Sequence, residues 1–299
     1  MKLGKMKSVA AIMALTLSIS MIFAACGSSG NTSNTSSTSG SATGNAAGSL
    51  TGKVTLSGST SVQPLAQDLA DAFQDSEQGV EVDVQAGGST QGVKDAKEGT
   101  SDIGDSSREL TTEEKGWGLT EHVMAYDGIA VVVHPSNPVT NLTKDQIVKI
   151  FKGEIKNWKD VGGPDKEILV VSREEGSGTR GAFEELLKLE EKKGDTKVSL
   201  VSSDALIAGS TGEVTANISA KENAIGYTSL GFVENNVKKV SIDGVECSID
   251  NIKAKKYGIS RPFLMLTKGD MRPEVKAFLD FVTSDKGQEI VAKKYISIK

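Results

Sequence analysis

From Lys53 to the C-terminus, short β-branched runs alternate with stretches of helical period. This alternation narrows the fold more than any other feature. Lys53-Val54-Thr55-Leu56 is a short strand pattern. After Gly58-Ser59-Thr60-Ser61, the residues Val62, Leu65, Leu69, Ala72 and Phe73 share a helical face, with Pro64 in the first turn and Gly79 past the end. Val80, Val82 and Val84 alternate as a strand. Gly87-Gly88-Ser89-Thr90 opens a second helix that runs to Gly99, before a short strand at Asp102-Ile103-Gly104. Buried strands are expected at Ala130–Val133, Ile168–Val171 and Ala224–Tyr227. Helices are expected at Asp145–Phe151, through Ala182, Phe183, Leu186 and Leu187, and from Pro273 through Val282. Strands alternating with helices give an α/β fold with mostly parallel sheets.

The first fifty residues are of another kind. Lys2, Lys5 and Lys7 precede an apolar run from Val9 to Ala25. A basic start, a short apolar run and small residues at its end make a secretory signal over 1–25. A membrane span needs about 20 apolar residues and a stop-transfer cluster, and this run has neither. Phe23-Ala24-Ala25-Cys26 resembles a bacterial lipobox. The resemblance implies cleavage before Cys26 and acylation of its sulfur and amine (diacylglycerol with a palmitate-type chain). Several acyl chains on one residue hold a soluble domain stably at a membrane. Residues 26–49 are almost wholly Ser, Gly, Thr, Asn and Ala without charge, which reads as a flexible tether. The folded part is thus expected on the extracytoplasmic face of the cell membrane, lipid-anchored through Cys26 only.

The remaining cysteine, Cys247, has no partner for an internal disulfide, so a hydrophobic core must hold the fold. Hydrophobic content of 37% suffices, and residues 50–299 are enough for two lobes. Formal net charge is −5, and −8 once the three lysines of 1–25 are removed. No basic surface for nucleic acid follows from that. Aromatics at 5% also argue against a stacking surface for sugars or bases. An acidic chain that binds an anion must do so locally, with oriented dipoles and a few arginines.

Such dipoles are available at three strand-to-helix junctions: Gly58–Ser61, Gly87–Thr90 and Gly176–Thr179. First-turn amides lack intrahelical acceptors, and the helix dipole makes that end partly positive. Gly allows close approach of backbone to an anion, and Ser and Thr add hydroxyls. Ser and Thr are also the preferred N-caps, so one such junction reads as plain capping. Three in one chain, one of them beside Arg173, read as a site for a tetrahedral oxyanion.

Gly58-Ser59-Thr60-Ser61-Val62, Gly88-Ser89, Asp102-Ile103-Gly104-Asp105-Ser106-Ser107-Arg108 and Arg173-Glu174-Glu175-Gly176-Ser177-Gly178-Thr179 resemble, in order, the signature segments of the periplasmic phosphate-binding protein family. These are the substrate-binding subunits of phosphate ABC importers. The resemblance implies a two-lobed periplasmic-binding-protein fold of type II with a two-strand hinge. It implies no catalysis and no cofactor, a monomer, and the permease and ATPase subunits of the importer as partners. Lobe I is expected at 50–133 and 229–299, and lobe II at 134–228. By position, Thr60, Ser61 and Ser89 would offer hydroxyls and amides to phosphate. Arg173 would pair with two oxygens, and Ser177, Gly178 and Thr179 would close the cage from the other lobe. Ser107 stands where many members carry an Asp that accepts the phosphate proton. Asp105 or Glu175 could supply the acceptor instead, and Arg108 or Arg180 a second cation.

The same fold for sulfate or molybdate is the alternative within this class. A secreted phosphohydrolase is a more distant one. It would need a His beside a serine, and the only two, His122 and His134, sit in none of these segments. No Gly-x-Ser-x-Gly, His-x-x-x-His or Walker-type segment is present. Trp117 and Trp158 read as packing residues, and Glu184–Lys193 as one solvated helix face.

Overall fold

The protein is described here by a computed structural model covering residues 50–194 and 196–299. The expected signal segment, Cys26 and the 26–49 tether lie outside the described residues. The N-terminal part forms β1 (Gly52–Gly58), α1 (Gln63–Ser76), β2 (Val80–Ala86), α2 (Ser89–Glu98), β3 (Ile103–Ser106), α3 (Thr112–Lys115) and β4 (Leu119–Val133). There follow β5 (Asn141–Leu142), α4 (Lys144–Phe151), β6 (Leu169–Arg173), α5 (Gly178–Leu187), β7 (Glu190–Lys193), β8 (Thr196–Ser199), β9 (Leu206–Ala208), α6 (Thr211–Ala220) and β10 (Ala224–Ser229). The last part forms β11 (Lys238–Lys239), β12 (Ser241–Ile242), α7 (Ile249–Lys253), β13 (Ser260–Lys268), α8 (Pro273–Thr283) and α9 (Asp285–Val291).

The main sheet runs β2-β1-β3-β13-β4-β10-β6-β9, with β11 beside β4. Its two flanks are parallel: β1 with β2 and β3, and β6 with β10 and β9. Antiparallel pairing is concentrated at β4 and β13 in the middle. The 15-residue β4 serves both flanks. Leu119–Gly128 pairs with β13, and Ile129–Val133 pairs with β10. This is the α/β architecture the alternating pattern predicts.

Each flank has its own core. In lobe I, Val54, Leu56, Leu65, Leu69, Phe73 and Phe278 pack between the sheet and α1 and α8, with the Phe73 and Phe278 rings edge-on at 5.4 Å. In lobe II, Val131, Val133, Phe151, Trp158, Phe183 and Tyr227 pack together, and Tyr227 stacks on Phe183 at 4.0 Å. Trp158 is fully buried, its indole N–H donating to Asn223 O at 2.9 Å.

Three sequence expectations change. Lobe II was expected at 134–228, but its core takes in Ile129–Val133 and also Val237, Val240, Cys247, Tyr257 and Ile259. Packing thus passes from one core to the other between Ala125 and Ile129 on β4 and between Ile259 and Phe263 near β13, and Val237 to Ile259 pack with the second core. The run Ala130–Val133 reads as a whole strand because it is buried on both faces. It is only the last four residues of the 15-residue β4. The segment Glu184–Lys193 is not one helix face. α5 ends at Leu187 with Lys188 in left-handed conformation (φ 56°), and Glu190–Lys193 turns back as a hairpin strand on β8.

β13 holds Pro262 in mid-sheet, where proline is normally excluded. Its partner Tyr126 directs its N–H and C=O to Ile296 instead (both 2.9 Å), and β3 pairs only with Leu264–Leu266. No ladder bond is lost at Pro262.

Candidate functional site

Four helix N-termini converge between the lobes. Three are the junctions read from the sequence. The fourth, Gly209-Ser210-Thr211-Gly212 at the start of α6, has the same composition and was missed. Its preceding strand, Leu206–Ala208, is three residues long and gives too little alternation to mark a junction.

The hydroxyls play different parts on the two sides. Ser177 caps α5, accepting from Arg180 N at 3.2 Å, and Ser210 caps α6, accepting from Glu213 N at 3.1 Å. Plain capping accounts for both. α1 and α2 have no side-chain cap. Their hydroxyls are free for other partners. Thr60 Oγ1 accepts from Arg173 Nη2 at 3.1 Å and from Thr211 N at 3.2 Å. Ser61 Oγ lies 2.8 Å from both Thr179 Oγ1 and Thr211 Oγ1. Ser89 Oγ accepts from Ser107 N at 3.0 Å.

The lobes approach closely here. Thr90 N donates to Gly176 O at 3.2 Å. A Cβ on Gly178 would lie 2.2 Å from Ser89 Oγ and 2.7 Å from Ser107 Oγ, so no side chain fits. Gly88 takes φ 84°, which lets α2 begin directly against the other lobe.

Arg173 ends β6 and is 1% exposed. Glu174 holds its Nε and Nη2 edge, with both contacts at 2.8 Å. Nη1 and Nη2 point on to Thr211 Oγ1 (3.0 Å) and Thr60 Oγ1 (3.1 Å). The guanidinium is thus fixed from behind and presents its outer edge among hydroxyls. Behind it, Arg173 N donates to the Tyr227 hydroxyl at 3.2 Å.

The other charged candidates sort clearly. Arg108 is clamped by Glu114 at 2.7 and 2.8 Å. Burial pushes the Glu114 carboxyl up, but the Arg108 and Thr111 bonds hold it below the usual range. Arg180 pairs with Glu184 at 2.7 Å and donates to Arg173 O at 3.0 Å. Neither arginine is a free cation. Glu175 is exposed, while Asp105 is buried with Oδ1 unpartnered among the described residues. Burial pushes the Asp105 carboxyl well above its ordinary range, so it favours the neutral acid. Ser107 is fully buried, its hydroxyl accepting from Ser59 Oγ at 2.8 Å.

Neither histidine approaches these serines. His122 Nε2 lies 2.9 Å from Thr267 Oγ1, and His134 Nδ1 lies 2.7 Å from Ser136 Oγ. Among the described residues there is no cluster of metal-ligating side chains, and no helix is long and apolar enough to cross a membrane. Two curled α/β lobes around an enclosed set of amides, hydroxyls and one guanidinium define a substrate-binding protein for a small anion.

The PBP superfamily domain matches residues 34–286. The phosphate-binding protein PstS of Borreliella burgdorferi is 33% identical over 225 residues, covering 73% of this chain and 80% of that one. PstS of Bacillus subtilis is 34% identical, covering 71% of this chain and 68% of its own. A phosphate ABC transporter substrate-binding protein of Clostridium perfringens, solved with bound phosphate, is 43% identical with a TM-score of 0.79. The match covers 83% of this chain and all of that one. The chain belongs to the phosphate-binding protein (PstS) family, within the PBP superfamily.

Proposed function

We propose that this protein binds inorganic phosphate between its two lobes, outside the cytoplasm, and delivers it to an ABC importer. The observation that carries this reading is Arg173, buried, braced by Glu174 and facing the hydroxyls of Thr60 and Thr211 where four helix N-termini meet. Buried phosphate needs every oxygen bonded. Thr60, Ser61 and Ser89 from lobe I, and Ser177, Gly178, Thr179 and Thr211 from lobe II, supply amides and hydroxyls. Arg173 supplies the charge. Ser107 would complete the floor with its hydroxyl, which can accept or donate. Phosphate is bound in the C. perfringens relative.

The protein acts without catalysis in this reading, because both histidines are bonded away from the cage serines. It works as a monomer, with permease and ATPase subunits as partners. Residues 1–25 are removed, Cys26 is acylated, and 26–49 tether the lobes to the outer face of the membrane. Mass spectrometry of the mature N-terminus, with Cys26→Ala as control, tests the anchor. An unmodified Cys26 would refute it.

Calorimetric titration with phosphate, alone and in excess sulfate, tests the ligand. The expected result is tight phosphate binding that sulfate does not displace and Arg173→Ala abolishes. Equal displacement by sulfate would reassign the site to a general oxyanion binder.

A further inference from the structure

The chain passes between the lobes twice, side by side. Gly128 in β4 faces Ser260 in β13, and Ile129 N donates to Ile259 O at 2.9 Å. Gly128 has no room for a side chain, since a Cβ would come within 2.5 Å of Ile252 and 2.7 Å of Cys247.

One residue into lobe I on each strand stand Asp127 and Arg261, partners in register and both buried. Arg261 donates from Nε and Nη2 to Asp127 Oδ2 at 3.2 and 3.0 Å. Asp127 Oδ1 accepts from Ser229 Oγ at 3.0 Å and Leu230 N at 3.2 Å, in the turn that ends β10 of lobe II. The remaining arm of Arg261, Nη1, donates to Ser107 O at 3.0 Å. Ser107 in turn is bonded to Ser89 and Ser59 at the α2 and α1 junctions.

A continuous line of bonds thus runs from a lobe II turn, through a buried ion pair at the hinge, to the floor of the cage. A buried ion pair is a poor way to gain stability, since apolar residues of the same volume often do as well. A fork with three fixed directions is a good way to set geometry. The lobe II end of the line is the end that hinge motion must move. Asp127, Arg261 and Ser107 all belong to lobe I, whereas Ser229 and Leu230 do not.

We propose that Arg261, anchored by Asp127, is a positioning residue of the phosphate cage, registering Ser107 against the lobe II turn at Ser229–Leu230. The proposal rests on the phosphate reading of the cage. Coupling of this kind is reciprocal: closure sets Ser107, and phosphate on Ser107 favours closure.

The test is a double-mutant cycle on the full chain, read by phosphate calorimetry. Arg261→Lys keeps the charge beside Asp127 and removes the arm to Ser107. It is expected to weaken phosphate about tenfold, the loss of one charge-assisted bond. Ser107→Ala is expected to weaken binding as well, and the double variant no more than the weaker-binding single. A role in stability alone would lower the melting temperature, leave affinity within about twofold, and make the two changes additive. That result would overturn the proposal. Should Arg261→Lys fail to fold, Ser229→Ala removes one of the two lobe II bonds to Asp127 Oδ1 and leaves both Arg261 contacts to Oδ2 in place. Its non-additivity with Ser107→Ala supports the line of bonds, and additivity overturns it. If the unaltered chain gives no heat with phosphate, the phosphate reading falls and this proposal with it. Normal binding by the unaltered chain and by Arg261→Lys alike overturns this proposal alone.

Discussion

The two halves of the cage use the same residues for different ends. On lobe I, Thr60, Ser61 and Ser89 begin uncapped helices, and their hydroxyls reach across the cleft or to Ser107. On lobe II, Ser177 and Ser210 are spent on capping α5 and α6. The charge is divided as unevenly. Arg173 on lobe II faces the cleft, whereas lobe I has Arg108 tied to Glu114 and an acid, Asp105, that burial biases toward its neutral form. In the proposed reading this contrast is a division of labour: lobe II would attract and hold the anion, and lobe I would supply neutral donors that fit its shape as the cleft closes.

The largest effect should come from removing the charge. Arg173→Ala should weaken phosphate about a hundredfold or more, two charge-assisted bonds at roughly 1.5–3 kcal/mol each. Arg173→Lys should recover only part of it, because a single ammonium cannot keep both the Glu174 brace and the outward edge. Calorimetry checks both. Full recovery by lysine would reduce the lobe II role to net charge.

Next comes Asp105. Its folded-state pKa is raised, so the folded protein holds this proton more tightly than the unfolded chain does. Stability should therefore fall as pH rises from the unfolded carboxylate range toward the raised value. Asp105→Asn should flatten that slope and gain about 1–3 kcal/mol on its far side. Thermal melts from acid to neutral pH give the answer, and an unchanged slope would mean that Asp105 is charged and partnered.

Smaller effects separate the two uses of a hydroxyl. Ser61→Ala and Thr211→Val remove facing partners 2.8 Å apart. Each should weaken phosphate about five- to tenfold, and the pair should cost less than their product. Smallest for binding is Ser177→Ala. It should lower stability by about 1 kcal/mol through the lost cap, with little change in affinity. A large affinity loss at Ser177 would erase the contrast between the lobes.

The fold class is legible in the residues alone, because a strand buried between helices and a helix lying on a sheet impose different periods on the same chain. The three junctions and Arg173 were legible as candidates too, because an anion site without general basicity would need local dipoles, and glycine beside hydroxyl residues before a helix writes that need in consecutive positions. What the sequence could not carry was anything assembled from distant segments. Thr211 meets Thr60 from 151 positions away, and Arg261 meets Asp127 from 134. Nor could composition tell a serine that caps its own helix from one that leaves it uncapped, since Ser177 and Ser89 stand in similar surroundings along the chain. The division within one continuous strand was likewise hidden. β4 stays one strand through Asp127-Gly128, and only the packing of two separate cores, against Met124–Ala125 on one side and Ile129–Val133 on the other, draws the line.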